Sequence, residues 1–115
     1  FDGTNDFVTG SNASALDIRS DITVEGWFKV NQYPTDFTAL IGKMDGGSNR
    51  TYGLWLQSNG GILWQMYGSS SGQIFTTTTL ALDTWYHVAA TRTGNTLKIY
   101  INGKIFYTIR RFRWL

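Results

Sequence analysis

The only histidine in the chain, His87, sits in the stretch TWYHVAATRTGNTLKIYINGK, residues 84–104. Three kinds of chemistry are open to an imidazole there: general base, metal ligand, or hydrogen-bonding group inside a sheet. Catalysis needs a nucleophile beside it and a carboxylate to orient the ring. The chain has one glutamate, Glu25, and no Ser or Asp accompanies His87 on its face of the predicted strand. A metal needs further ligands close by. The expected role of His87 is therefore structural. Glu25 is also expected to stand alone, with Thr23, Trp27 and Lys29 as same-face neighbours. Glycoside hydrolysis uses two carboxyl groups flanking the bond, so residue count argues against an enzyme and no catalytic residue is assigned.

Two other sets of residues have binding chemistry. In FDGTNDF, Asp2, Asn5 and Asp6 are hard oxygen donors in a tight loop, a set that could hold Ca²⁺. The same residues fit an Asx-type turn that bonds only its own backbone. In TYGLWLQSNGGILWQMYG, Trp55, Gln57 and Trp64 combine flat rings with an amide. Such rings stack on the apolar faces of sugars while amides take the hydroxyls. The triplets NAS at Asn12 and NRT at Asn49 are glycosylation sequons in predicted loops, weak support for an exported protein.

The elements that must position these groups read as strands, because apolar residues alternate with period two. DITVEGWFKV places Ile22, Val24, Gly26, Phe28 and Val30 on one face. A two-residue turn at Gly94-Asn95 sets Val88 opposite Ile101 and Ala90 opposite Ile99. One face of that hairpin then carries Tyr86, Val88, Ala90, Leu97, Ile99 and Ile101 as core, and His87 falls opposite Asn102. A second turn at Asn59-Gly60 sets Trp55 opposite Trp64 and Leu56 opposite Leu63. A third, at Asn102-Gly103, starts a strand expected to reach about Thr108. NASALDIRSD is short enough for a single helical turn capped by Ser11 or Asn12. TALIGKMDGGSNR reads as a buried strand running into a loop, and SGQIFTTTTL as a strand.

A chain of 115 residues with 42% hydrophobic residues is one globular domain. Thirteen Gly against one Pro suit an all-β domain rich in tight turns. The absence of Cys excludes disulfides and thiolate zinc sites. No apolar run reaches the length of a membrane span. The net charge of +2 depends on Arg110, Arg111 and Arg113; without residues 108–115, seven basic and eight acidic residues remain. Nothing in that neutral body suggests a nucleic-acid partner. Residues after Arg110 are expected along the surface or a sheet edge, because no face of that segment can enter a core without burying a guanidinium.

The stretch WYHVAATRTGNTLKIYINGK resembles the hallmark segment of laminin G-like, concanavalin A-like lectin/glucanase jelly-roll domains, which are related to pentraxins. FDGTNDFVTG, similar to the family's opening strand, and DITVEGWFKV follow the family pattern in the right order. The resemblance implies an antiparallel all-β jelly-roll sandwich, spanning residues 1–107, with residues 108–115 a basic, aromatic tail foreign to the family. Family members continue into an acidic, aromatic closing strand, so the sandwich reads as incomplete. The resemblance also implies burial of Leu54 and Leu56. The face of Trp55, Gln57 and Trp64 is then either open to a sugar or covered by a loop or partner domain. Calcium near the opening segment is a feature of relatives, completed there by an Asp from the closing strand. The expected function is a non-catalytic carbohydrate-binding, lectin-like module of a secreted or cell-surface protein, with flanking domains in a larger parent chain. The competing expectation is a protein–protein adhesion or spacer domain without a small ligand.

Overall fold

The computed structural model describes residues 1–2, 4–44, 50–67 and 72–110, the side chains of 107–110 excepted. Among these residues the chain forms eight strands: β1 (Ile22–Lys29), β2 (Thr38–Lys43), β3 (Tyr52–Leu56), β4 (Ile62–Met66), β5 (Gly72–Phe75), β6 (Trp85–Thr93), β7 (Thr96–Ile101) and β8 (Lys104–Arg110). They make two antiparallel four-stranded sheets, ordered β1-β6-β7-β8 and β2-β3-β4-β5. The expected all-β sandwich of jelly-roll type is what the chain adopts.

Alternation explains the core. From the first sheet, Val24, Val88, Ala90, Leu97, Ile99 and Ile101 point inward and are buried. The second sheet contributes Tyr52, Leu54, Leu56, Ile62, Trp64, Met66 and Ile74. Fully burying such side chains stabilises by roughly 1.5–3 kcal/mol each before ordering costs. Trp64 joins the layers, its indole N–H donating to the Thr91 carbonyl at 3.3 Å.

The β6–β7 hairpin has the register expected from Gly94-Asn95, Val88 opposite Ile101 and Ala90 opposite Ile99. Gly94 has φ +56°, the positive φ that a type II′ turn places at its first central residue. The β3–β4 hairpin differs from expectation by one residue. Leu56 faces Ile62, Trp55 faces Leu63 and Leu54 faces Trp64. The Gln57 N–H donates to the Gly61 carbonyl at 2.8 Å, closing a three-residue loop, Ser58 to Gly60, instead of two. Only Gly60 takes positive φ, +79°, as a type I turn followed by a bulge requires.

The run Thr76 to Thr79 leaves the sheet after Phe75 rather than extending β5. Its hydroxyls brace that loop: Thr76 Oγ1 accepts from the Ile62 N–H at 2.9 Å, and Thr79 Oγ1 donates to the Asn59 carbonyl at 2.8 Å. FDGTNDFVTG forms no strand among its described residues; Phe7 and Val8 are exposed and its polar groups bond locally. The turn in NASALDIRSD is a 3₁₀ turn, Ser14–Leu16, with Ala13 at the cap position and no side-chain cap bond. The β2 strand is half exposed rather than buried, and residues 45–49 of its following loop lie outside the described residues. A bulge between Ile99 and Tyr100 shifts the β7–β8 register, so that Ile105 lies opposite Tyr100 and Tyr107 opposite Ile99. The part of the tail beyond Arg110 lies outside the described residues.

Candidate functional site

The extra loop residue moves Trp64 off the face assigned to it. A one-residue slip turns every side chain of a strand to the other side of its sheet. Trp64 is fully buried between the sheets, so the expected pair of surface indoles, Trp55 with Trp64, does not exist. Trp55 does face outward, and the same slip gives it new neighbours. Gln65 and Tyr67 now share its side of β4 with Leu63, while Gln73 and Phe75 continue that face on β5. Together with Gln57, Arg50, Asp36 and Phe37 they line a cleft of about 550 Å³.

The geometry of this cleft is built from rings and amides. The Arg50 guanidinium lies 5.9 Å from the Trp55 ring centroid and 5.6 Å from that of Tyr67. Arg50 Nη1 donates to Tyr67 Oη at 3.3 Å, the Tyr67 hydroxyl donates to Gln65 Oε1, and Gln65 Nε2 donates to Gln73 Oε1 at 2.6 Å. This relay fixes the amides. Phe37 and Phe75 are each 50% exposed at the rim. Among the described residues, three covered donors have no acceptor: Arg50 Nε, Trp55 Nε1 and Gln57 Nε2. A buried donor without a partner costs about 1–3 kcal/mol. All three belong to residues that line this one cleft. Beneath the indole, Gly53 pairs with Gly42 across β2 and β3, and the Met44 side chain packs against the same two glycines.

A second cleft, about 440 Å³, lies between residues 8–19 and the end of β2. Its charges satisfy one another. Lys43 Nζ sits 3.0 Å from Asp17 Oδ1 and also donates to Asn12 Oδ1. The hydrogen bond from Lys43 holds the Asp17 carboxyl below the usual carboxylate value, against desolvation, helped by the Lys43 charge and the Thr51 hydroxyl. Among the described residues no ring lines it, and none of its buried side-chain nitrogens or oxygens lacks a partner.

His87 is held where the sequence placed it, but its surroundings differ from the expectation. Its backbone N–H donates to Asn102 Oδ1 at 2.9 Å, and its carbonyl accepts the Asn102 N–H at 2.8 Å. Pairing of β1 with β6 sets Trp27 opposite His87, rings 5.4 Å apart, and brings Glu25 Oε2 within 3.8 Å of His87 Nε2. The neighbourhood therefore contains a carboxylate, and Glu25 is not isolated. The pairing joins strands far apart in sequence, which local alternation does not reveal. The face still holds no serine or cysteine to act as nucleophile.

Asp2 and Asp6 share an exposed loop. Asp2 Oδ1 accepts the Thr4 N–H at 2.9 Å, Asp6 accepts the Asp2 N–H, and the chain's amino group lies 3.9 Å from Asp6. Asn5 is exposed beside them. Among the described residues no group of three or more His, Cys, Asp or Glu is placed to hold a metal. Of the two sequon asparagines, Asn12 is exposed and Asn49 lies outside the described residues.

Two antiparallel four-stranded sheets around one apolar core define a β-sandwich of jelly-roll type. A family model described as the concanavalin A-like lectin/glucanases superfamily, of laminin G type, matches residues 2–109, and the chain belongs to this family. Comparison with curated proteins returned no match. Laminin G-like domains are typically extracellular and generally non-catalytic, and the family is compatible with lectin-like or adhesive roles. Among the described residues no helix is long and apolar enough to cross a membrane.

Proposed function

We propose that this chain is a non-catalytic carbohydrate-binding module of a secreted or cell-surface protein, and that glycans bind in the cleft on the outer face of β3, β4 and β5. The observation that carries the reading is the gathering of Trp55, Tyr67 and Phe75 with the amides of Gln57, Gln65 and Gln73 in one outward-facing cleft. Rings supply apolar planes for sugar C–H faces, and amides and donors take hydroxyl oxygens. Among the described residues a single carboxylate, Asp36, lines the cleft, where hydrolysis would call for a pair. Under the same reading Asp2, Asn5 and Asp6 are the candidate Ca²⁺ ligands, and flanking domains of a parent chain present the module.

A glycan array followed by titration of the retained glycan tests this. Trp55→Ala is expected to weaken binding by at least about tenfold, roughly 1.4 kcal/mol, with the fold retained. Equal binding by wild type and Trp55→Ala would remove the cleft from consideration. The adhesion reading draws on a different observation: Trp27 and Trp85 are 64% and 60% exposed on the outer face of the other sheet. Protein capture that survives Trp55→Ala and fails in Trp85→Ala would favour it.

A further inference from the structure

Natural sheets blunt their edges, because an edge strand presents unpaired N–H and C=O groups to any other strand. Three of the four edges here are blunted. The β2 edge shifts register between Ala39 and Ile41, the β8 edge is bulged against β7, and β5 has only four residues. The β1 edge is neither bulged nor short: its eight residues pair with β6 one for one from Ile22 to Lys29, and the charges it carries are Glu25 and Lys29.

The hydrogen bonds of His87 reveal which groups this edge offers. Both its N–H and its C=O bond to Asn102, and so point away from β1. Trp27 opposite His87 is therefore a non-hydrogen-bonded rung, and its own N–H and C=O face the open edge. By the period of two, the same holds for Thr23, Glu25 and Lys29. All four side chains lie exposed on the outer face.

We infer that β1 pairs antiparallel with β1 of a second copy of the chain, about a two-fold axis at Trp27. Only edge-facing residues exchange backbone bonds, so the register must oppose members of this set of four. An axis at Glu25 sets carboxylate against carboxylate, and one at Lys29 sets ammonium against ammonium. A register opposing Glu25 and Trp27 sets neither Glu25 nor Lys29 against an opposite charge of the other copy. The axis at Trp27 alone pairs each Glu25 with Lys29 of the other copy and brings the two exposed indoles together. Directly opposed unlike charges and aromatic pairs stabilise a sheet, and like charges destabilise it. The interface is isologous, as a closed dimer demands, and the two sheets become one continuous eight-stranded sheet.

Sedimentation equilibrium of the whole chain up to about 0.5 mM, where weak pairing is measurable, tests the inference. Wild type is expected to show a monomer–dimer equilibrium. Glu25→Lys and Lys29→Glu, each opposing like charges, are expected to weaken it at least roughly tenfold. The double exchange Glu25→Lys with Lys29→Glu restores complementarity and is expected to return to within about threefold of wild type. Circular dichroism confirms that each variant is folded. A wild type that stays monomeric throughout overturns the inference. So does a dimer on which the single and double exchanges act alike.

Discussion

The indole of Trp55 lies directly over Gly53, where a Cβ would come 2.5 Å from Trp55 Nε1. The two residues share the outer face of β3 at positions i and i+2. Gly53→Ala therefore forces the ring to lift from its floor, an overpacking cost of about 1–3 kcal/mol. The expected outcome is loss of glycan binding comparable to Trp55→Ala, although every ring remains, with a change in tryptophan fluorescence. Unaltered affinity in Gly53→Ala would separate the indole's position from recognition.

Asn102 occupies the left-handed region, φ +51°, while its side-chain oxygen accepts the His87 N–H at 2.9 Å. Two substitutions separate these roles. Asn102→Gly keeps the turn's backbone and loses the acceptor, costing about 1 kcal/mol. Asn102→Ala loses the acceptor and adds the strain of a β-carbon at positive φ, about 1 kcal/mol more. Urea unfolding should rank wild type above Asn102→Gly and both above Asn102→Ala. Equal stability of the two variants would show that the turn does not constrain this residue.

The contrast between two hairpins shows why the fold was legible and the site only half so. Gly94-Asn95 admits a short turn with glycine first, and the register followed from it. SNGG admits either a two-residue or a three-residue loop, and local residues do not choose. The choice falls to distant groups: Leu80 N–H donates to the Gly60 carbonyl and Thr79 to the Asn59 carbonyl. That single residue decided whether Trp64 met solvent or Thr91. Trp55 and Gln57 were legible from alternation, whereas Gln65, Tyr67, Gln73 and Phe75 joined them only once the register was known. Glu25 was missed beside His87 for a similar reason, since β1 and β6 meet only across the folded sheet.

Acid should act through Asp17, whose carboxyl is held below the usual carboxylate value by its bond from Lys43. A group whose folded value lies below its unfolded value stabilises the fold when pH exceeds the unfolded value. That contribution is lost as pH falls through the folded one. Asp17→Asn should therefore melt below wild type at pH 6, and the gap should close as pH drops below 3.8. A gap independent of pH would assign the difference to packing around Thr51, whose hydroxyl donates to Asp17 at 3.3 Å.

The last prediction concerns the oxygens of the amino-terminal loop. Calcium takes six to eight oxygen ligands, of which Asp2, Asn5 and Asp6 supply the side-chain share, with carbonyls and water completing the shell. Asp2 and Asp6 already each accept a backbone N–H, which gathers them into one turn but engages part of their capacity. A site so exposed binds weakly, and its stabilisation follows mass action. At ten times the dissociation constant it amounts to about 1.4 kcal/mol, or about 6 °C in melting temperature for a domain of this size. Added Ca²⁺ should raise the melting temperature of wild type, EDTA should reverse the rise, and Asp6→Asn should abolish it. A melting temperature indifferent to both Ca²⁺ and EDTA would leave the loop's carboxylates with the turn as their whole function.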